Sequence, residues 1–83
     1  MTACEDKLLR KSPYAAHEME EYLAETYQND FVVLTRTEYY DSQYGTLYQV
    51  EYHVQCGQDE YIVLDHHCSG MAGWNVHELE GLE

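Results

Sequence analysis

Residues 46–56 read TLYQVEYHVQC. Tyr48, Val50, Tyr52, Val54 and Cys56 take every second place, and Gln49, Glu51, His53 and Gln55 fill the places between. Strand side chains point alternately to two faces, so this run is a strand with one buried and one wet face. Wound as a helix, the same residues would scatter around the axis. A lone strand is not stable in water. The rest of the 83 residues must therefore supply neighbours at its edges and a layer over its apolar face.

Candidates stand on both sides. Residues 30–42, DFVVLTRTEYYDS, and 60–68, EYIVLDHHC, are rich in β-branched and aromatic residues. SQYG and GQD are the turns between. Residues 12–28 predict a helix: Ser12 suits the N-cap, Pro13 the first helical position, and QND at 28–30 the exit. Ala15, Met19, Tyr22, Leu23 and Tyr27 form its apolar stripe. Trp74 and Val76 predict a short fourth strand or a docking segment. The expected architecture is a single small α+β domain over residues 1–83. One N-terminal helix packs on a three-stranded antiparallel meander in the order α-β-β-β.

Burial argues the register. Pairing Asp41 with Thr46 sets Tyr39 against Tyr48, Val33 against Val54 and Phe31 against Cys56, with Arg36 opposite Glu51 on the other face. Pairing Cys56 with Glu60 sets Val54 against Ile62, Tyr52 against Leu64, Val50 against His66 and Tyr48 against Cys68. Both hairpins turn the same face of the middle strand inward. Val32, Leu34, Tyr40, Leu47 and Val63 then fall on the outer face. That is enough apolar surface for a homodimer or for cover by the Trp74 segment.

HVQC at 53–56 and LDHHC at 64–68 bring three histidines and two cysteines close together in sequence. In this register Cys56 and Cys68 lie about 27 Å apart along the hairpin, at ~3.4 Å per residue. A zinc ion needs ligands converging within about 2.0–2.3 Å, and a disulfide needs Cα atoms within about 7 Å. His66 and Cys68 share a face and could serve one ion only if Cys4 or His77 came near. The expectation is no metal site and no cofactor, with a small metal-binding domain as an alternative. No phosphate loop, nucleophile elbow or H-E-x-x-H helix occurs, and although Cys68, His66 and Asp65 are neighbours in sequence, Asp65 points to the other face and orients no base. The expectation is a protein that is not an enzyme.

Charge carries the functional reading. Sixteen acidic residues face four basic ones, a formal net charge of −12. Residues 1–11 hold Glu5 and Asp6 against Lys7, Arg10 and Lys11, whereas residues 12–83 hold the other 14 acids against Arg36 alone. Such a chain avoids nucleic acid and anionic membranes and attracts basic surfaces. An odd cysteine count, no apolar leader and no membrane-length apolar run point to the cytoplasm. On the helix Glu18, Glu21 and Glu25 share a face at spacings of three and four, where like charges oppose helix formation. The stretch EYYDSQYGTLY adds Glu38, Tyr40, Asp41 and Tyr44 around one turn. QDEY adds Asp59, Glu60 and Tyr61 at the other end of the sheet. These ten residues are the candidate partner contacts.

In size, charge and lack of catalytic motifs the chain resembles the DNA-mimic inhibitors of phages and mobile elements, including many anti-CRISPR proteins. The resemblance implies a monomer or homodimer that blocks a basic, nucleic-acid-binding surface of another protein. The other expectation is a housekeeping interaction module joined through the outer sheet face.

Overall fold

The computed structural model describes residues 9–68 and 73–82. One helix, α1 (Ala16–Tyr27), precedes strands β1 (Val32–Tyr40), β2 (Leu47–Cys56), β3 (Asp59–His67), β4 (Trp74–Val76) and β5 (Glu80–Gly81). All strand pairings are antiparallel, in the order β1-β2-β3-β4, and β5 also pairs β3. This is the expected α-β-β-β order with its short C-terminal strand. Met19 and Leu23 of α1 are buried against Phe31, Val50, Tyr52, Val54, Val63, Trp74 and Val76. Among the described residues no helix is long and apolar enough to cross a membrane.

α1 starts three residues later than Ser12 and Pro13 predict. Ala15 is the N-cap in extended conformation, and its N–H donates to Glu18 Oε1 at 2.9 Å. Residues 10–14 are drawn into tertiary contacts instead, because the Tyr14 carbonyl accepts from Tyr52 and Arg36. At the other end Gln28 adopts the left-handed conformation and its N–H returns to the Ala24 carbonyl at 2.9 Å. That is the usual way to close a helix.

Three local features correct the expected register. The β2–β3 turn holds two residues, Gly57 and Gln58, so Cys56 pairs Asp59 rather than Glu60. Gly57 has φ of 63°, which suits a type II′ hairpin turn. The one-residue difference turns the whole of β3 over. Val54 meets Tyr61, Tyr52 meets Val63 and Val50 meets Asp65 on the helix side, while Ile62, Leu64 and His66 go to the outer face. Val63, expected outside, is fully buried. Replacing Gly57 with alanine is expected to lower stability by about 1–2 kcal/mol in urea unfolding, because positive φ disfavours a Cβ. Nothing lies within 4 Å of the added atom, so the cost is conformational alone.

The other two corrections are bulges in the β1–β2 ladder. Val33 pairs Val54 as expected, but Thr35 pairs His53, which leaves Leu34 as an extra residue in β1. Beyond it Arg36 lies opposite Tyr52 on the inner face rather than opposite Glu51. Tyr39 pairs Gln49 and Tyr40 pairs Leu47, so Tyr48 is the extra residue in β2. Tyr48 is not turned into the core and stays 48% exposed. A bulge puts two residues against one and resets which face follows. Leu47 is drawn against the core by the same irregularity.

Candidate acidic interface

The carboxylates of α1 come first. Glu18, Glu21 and Glu25 are all exposed. At about 100° per residue they fall within an arc of roughly 60°, well away from the seam of Met19 and Leu23. Glu18 also closes the helix start. Glu20, on a different side, accepts the Val33 N–H at 2.8 Å and ties α1 to the bulge in β1. Ring contacts of 5.9 Å from Tyr27 to Phe31 and 6.3 Å from Phe31 to Tyr61 set the end of α1 over the β2–β3 turn. The Tyr27 end of α1 therefore lies towards the β2–β3 turn, while its start, with Glu18, lies by Tyr14, which Tyr52 and Arg36 hold in mid-sheet.

The β2–β3 turn is only partly free. Glu60 holds His53 Nε2 at 2.8 Å, and Asp59 and Glu60 line a shallow depression of about 300 Å³ with Gln58 and Leu82. Tyr61 is half-buried and faces the core, a correction to its expected outward place. Alternation had put it outside, and the shorter turn moved it.

The tyrosine-rich hairpin lies at the opposite end of the sheet from the β2–β3 turn. Asp41 Oδ1 accepts the N–H groups of Gln43 at 2.7 Å and Tyr44 at 2.9 Å, so its carboxylate builds the turn. Tyr44 is 75% exposed, the most open of the large hydrophobic side chains among the described residues. Glu38 accepts from Arg36 Nη1 at 2.7 Å and from the Tyr40 hydroxyl at 2.5 Å. The Tyr40 hydrogen bond and the Arg36 charge hold the Glu38 carboxyl below its ordinary range. The candidate residues thus do not form one surface: the helix acids lie over one face of the sheet, Glu60 meets His53 on the other, Tyr61 turns to the core, and the tyrosine hairpin lies at the far end of the sheet from the β2–β3 turn.

Two of the four basic residues, Arg10 and Arg36, are engaged away from the helix stripe. Arg10 forms an ion pair with Asp65, whose side chain is fully buried. The Arg10 guanidinium also lies 3.6 Å over the Tyr14 ring. Its backbone bridges β4 through Trp74, accepting at 2.7 Å and donating at 3.3 Å. The Tyr52 hydroxyl donates to the Tyr14 carbonyl at 2.5 Å and lies 3.3 Å from Asp65 Oδ2, while Arg36 Nε reaches the same carbonyl at 3.0 Å. Burial pushes the Tyr52 phenol far above its ordinary value and Asp65 up to about 6, against the pull of Arg10. Arg10 is thus held by a buried carboxylate, Asp65, and Arg36 by an exposed one, Glu38. This network was missed because the expected register put Asp65 on the outer face. The available signal was a lone acid inside the apolar run EYIVLDHH.

His66 and Cys68 come together, as the expected register allows. His66 sits on the outer face with its Nε2 3.8 Å from Cys68 Sγ, and Asn75 Nδ2 donates to the same sulfur at 3.2 Å. His77 does come near, its ring 4.2 Å from that of His66 and tilted by 31° to it. Among the described residues no three His, Cys, Asp or Glu side chains are grouped to hold a metal ion. Cys4 lies outside the described residues.

No known family, characterised protein or solved structure matches this chain. Its reading therefore rests on the surface just described.

Proposed function

We propose that this chain is a small acidic binding protein that blocks a basic, nucleic-acid-binding surface of a partner protein. It acts by occupying that surface and carries out no chemistry. One observation carries the reading. Glu18, Glu21 and Glu25 stand exposed on one face of α1, while Arg10 and Arg36 are engaged with Asp65 and Glu38. A helix rises about 1.5 Å per residue, so the stripe offers a carboxylate every ~4.5–6 Å. A DNA strand offers a phosphate every ~3.4 Å along the axis. The charge density is somewhat lower, but the sign and the linear arrangement suit a cleft lined with Arg and Lys.

The test is affinity purification with the chain as bait, followed by competition between the captured protein's nucleic acid and the chain. Binding is expected to fall by an order of magnitude or more between about 0.05 and 0.2 M salt. The triple variant E18K/E21K/E25K is expected to lose at least about tenfold in affinity with an unchanged circular dichroism spectrum. Salt-insensitive binding, or full affinity in the triple variant, would refute the reading.

A further inference from the structure

We propose that the chain forms a homodimer by antiparallel pairing of β1 with β1 of a second copy, centred on Thr37. Among the described residues β1 pairs only β2, so it is the open edge of the sheet. The far side of β3 is closed by β4 and β5, and β4 in turn by Arg10. Alternation shows which backbone groups face the open side. The Asp41 N–H is bound to the Thr46 carbonyl at 2.8 Å, so the groups of Tyr40, Glu38 and Arg36 point away from β2. The bulge at Leu34 resets the alternation and turns the Val33 N–H outward, where Glu20 takes it at 2.8 Å. The helix thus plugs one end of the edge and leaves Thr35 to Tyr40 open.

That stretch is self-complementary in one register. With Thr37 opposite Thr37 of the second copy, Arg36 faces Glu38 and Thr35 faces Tyr39, each twice by symmetry. Arg36 and Glu38 are the residues whose backbone groups point outward, so their pairs carry the inter-strand hydrogen bonds. Thr–Thr, opposite-charge and aromatic–β-branched pairs are the favourable cross-strand kinds. Centring on Arg36 or on Glu38 instead would set like charges directly opposite. Arg36 already holds its own Glu38 at 2.7 Å, so the dimer closes a ring of four charges of alternating sign. The two-fold axis is perpendicular to the sheet, so both α1 helices lie on one face. The formal charge of −12 on each copy opposes association at low salt, and salt screens that repulsion. The dimer therefore tightens as salt rises, the opposite of partner binding through the helix stripe. The inference does not depend on that partner.

The test is sedimentation equilibrium of the full chain at about 0.1 and 0.5 M salt, with amide exchange across protein concentrations. A monomer–dimer equilibrium is expected, tightening severalfold with salt, with Arg36 and Glu38 amides gaining protection as concentration rises. Glu38→Pro removes an outward N–H that the β1–β2 ladder does not use, and proline is tolerated at sheet edges. Glu38→Arg sets two arginines opposite each other and keeps the backbone intact. Both variants are expected to be monomers. If the proline variant fails to fold, the arginine variant decides. A chain that stays monomeric at both salts, a dimer that survives Glu38→Arg, or protection confined to other strands would overturn the proposal.

Discussion

Replacing Arg10 with alanine is expected to lower the unfolding free energy by about 3–5 kcal/mol at pH 7. Asp65 is fully buried, and Arg10 is its ion-pair partner. Its remaining contacts are long, 3.4 Å to the Tyr14 N–H and 3.3 Å to the Tyr52 hydroxyl. Without the guanidinium a charge is left in the core with little to offset it. A domain of this size has only about 5–10 kcal/mol in total, so the variant should be largely unfolded in mild denaturant. Two controls separate charge from packing. Removing both partners in R10A/D65A should be less damaging than R10A alone, since no unpaired charge remains. The R10A penalty should also shrink at pH 5, where Asp65 can take a proton and become neutral. Urea unfolding of the variants at two pH values checks both. Equal destabilisation by R10A and the double variant would show that the arm is held by its backbone bridge to Trp74 instead.

The same arm shows where local sequence rules stop. Ser12 and Pro13 have the right chemistry to start a helix, yet the chain stays extended to Ala15. The reason lies at Tyr52 and Arg36, distant residues that claim the Tyr14 carbonyl. What was legible rested on periodicity. Val50, Tyr52 and Val54 are buried as alternation requires, and Met19 and Leu23 as helical spacing requires. Trp74 and Val76 do form a short strand. What was not legible rested on single-residue irregularities. Gly57 permits a turn of two residues as readily as three, and that choice decides the side of Val63 and Asp65. The bulges at Leu34 and Tyr48 leave no mark in composition. The first is gripped by Glu20, a residue whose role appears only once α1 is docked. The exposed acids of α1 were readable because a solvent face needs no partner to be recognised. The buried ion pair was not, because both residues had plausible places elsewhere.

Asp65 also makes stability depend on pH in a direction unusual for an aspartate. Burial raises it to about 6 in the folded protein, from 3.8 in an unperturbed aspartate. Below about pH 4 both folded and unfolded chains hold the proton, and the group does not disfavour folding. Between about pH 4 and 6 the unfolded chain has released it and the folded chain has not, so stability falls as pH rises. Above pH 6 the loss is complete, at about 3 kcal/mol for a displacement of this size. Relief of the general negative charge on acidification acts in the same direction, so the wild-type curve alone cannot isolate Asp65. Asp65→Asn can, because the variant keeps nearly all of that charge and lacks the titration. The difference in unfolding free energy between wild type and Asp65→Asn is expected to move by about 3 kcal/mol between pH 4 and 7, in favour of wild type at the acid end. A difference that stays flat over that range would mean that Arg10 compensates the buried carboxylate fully. The Arg10→Ala effect would then come from orphaning that compensated charge.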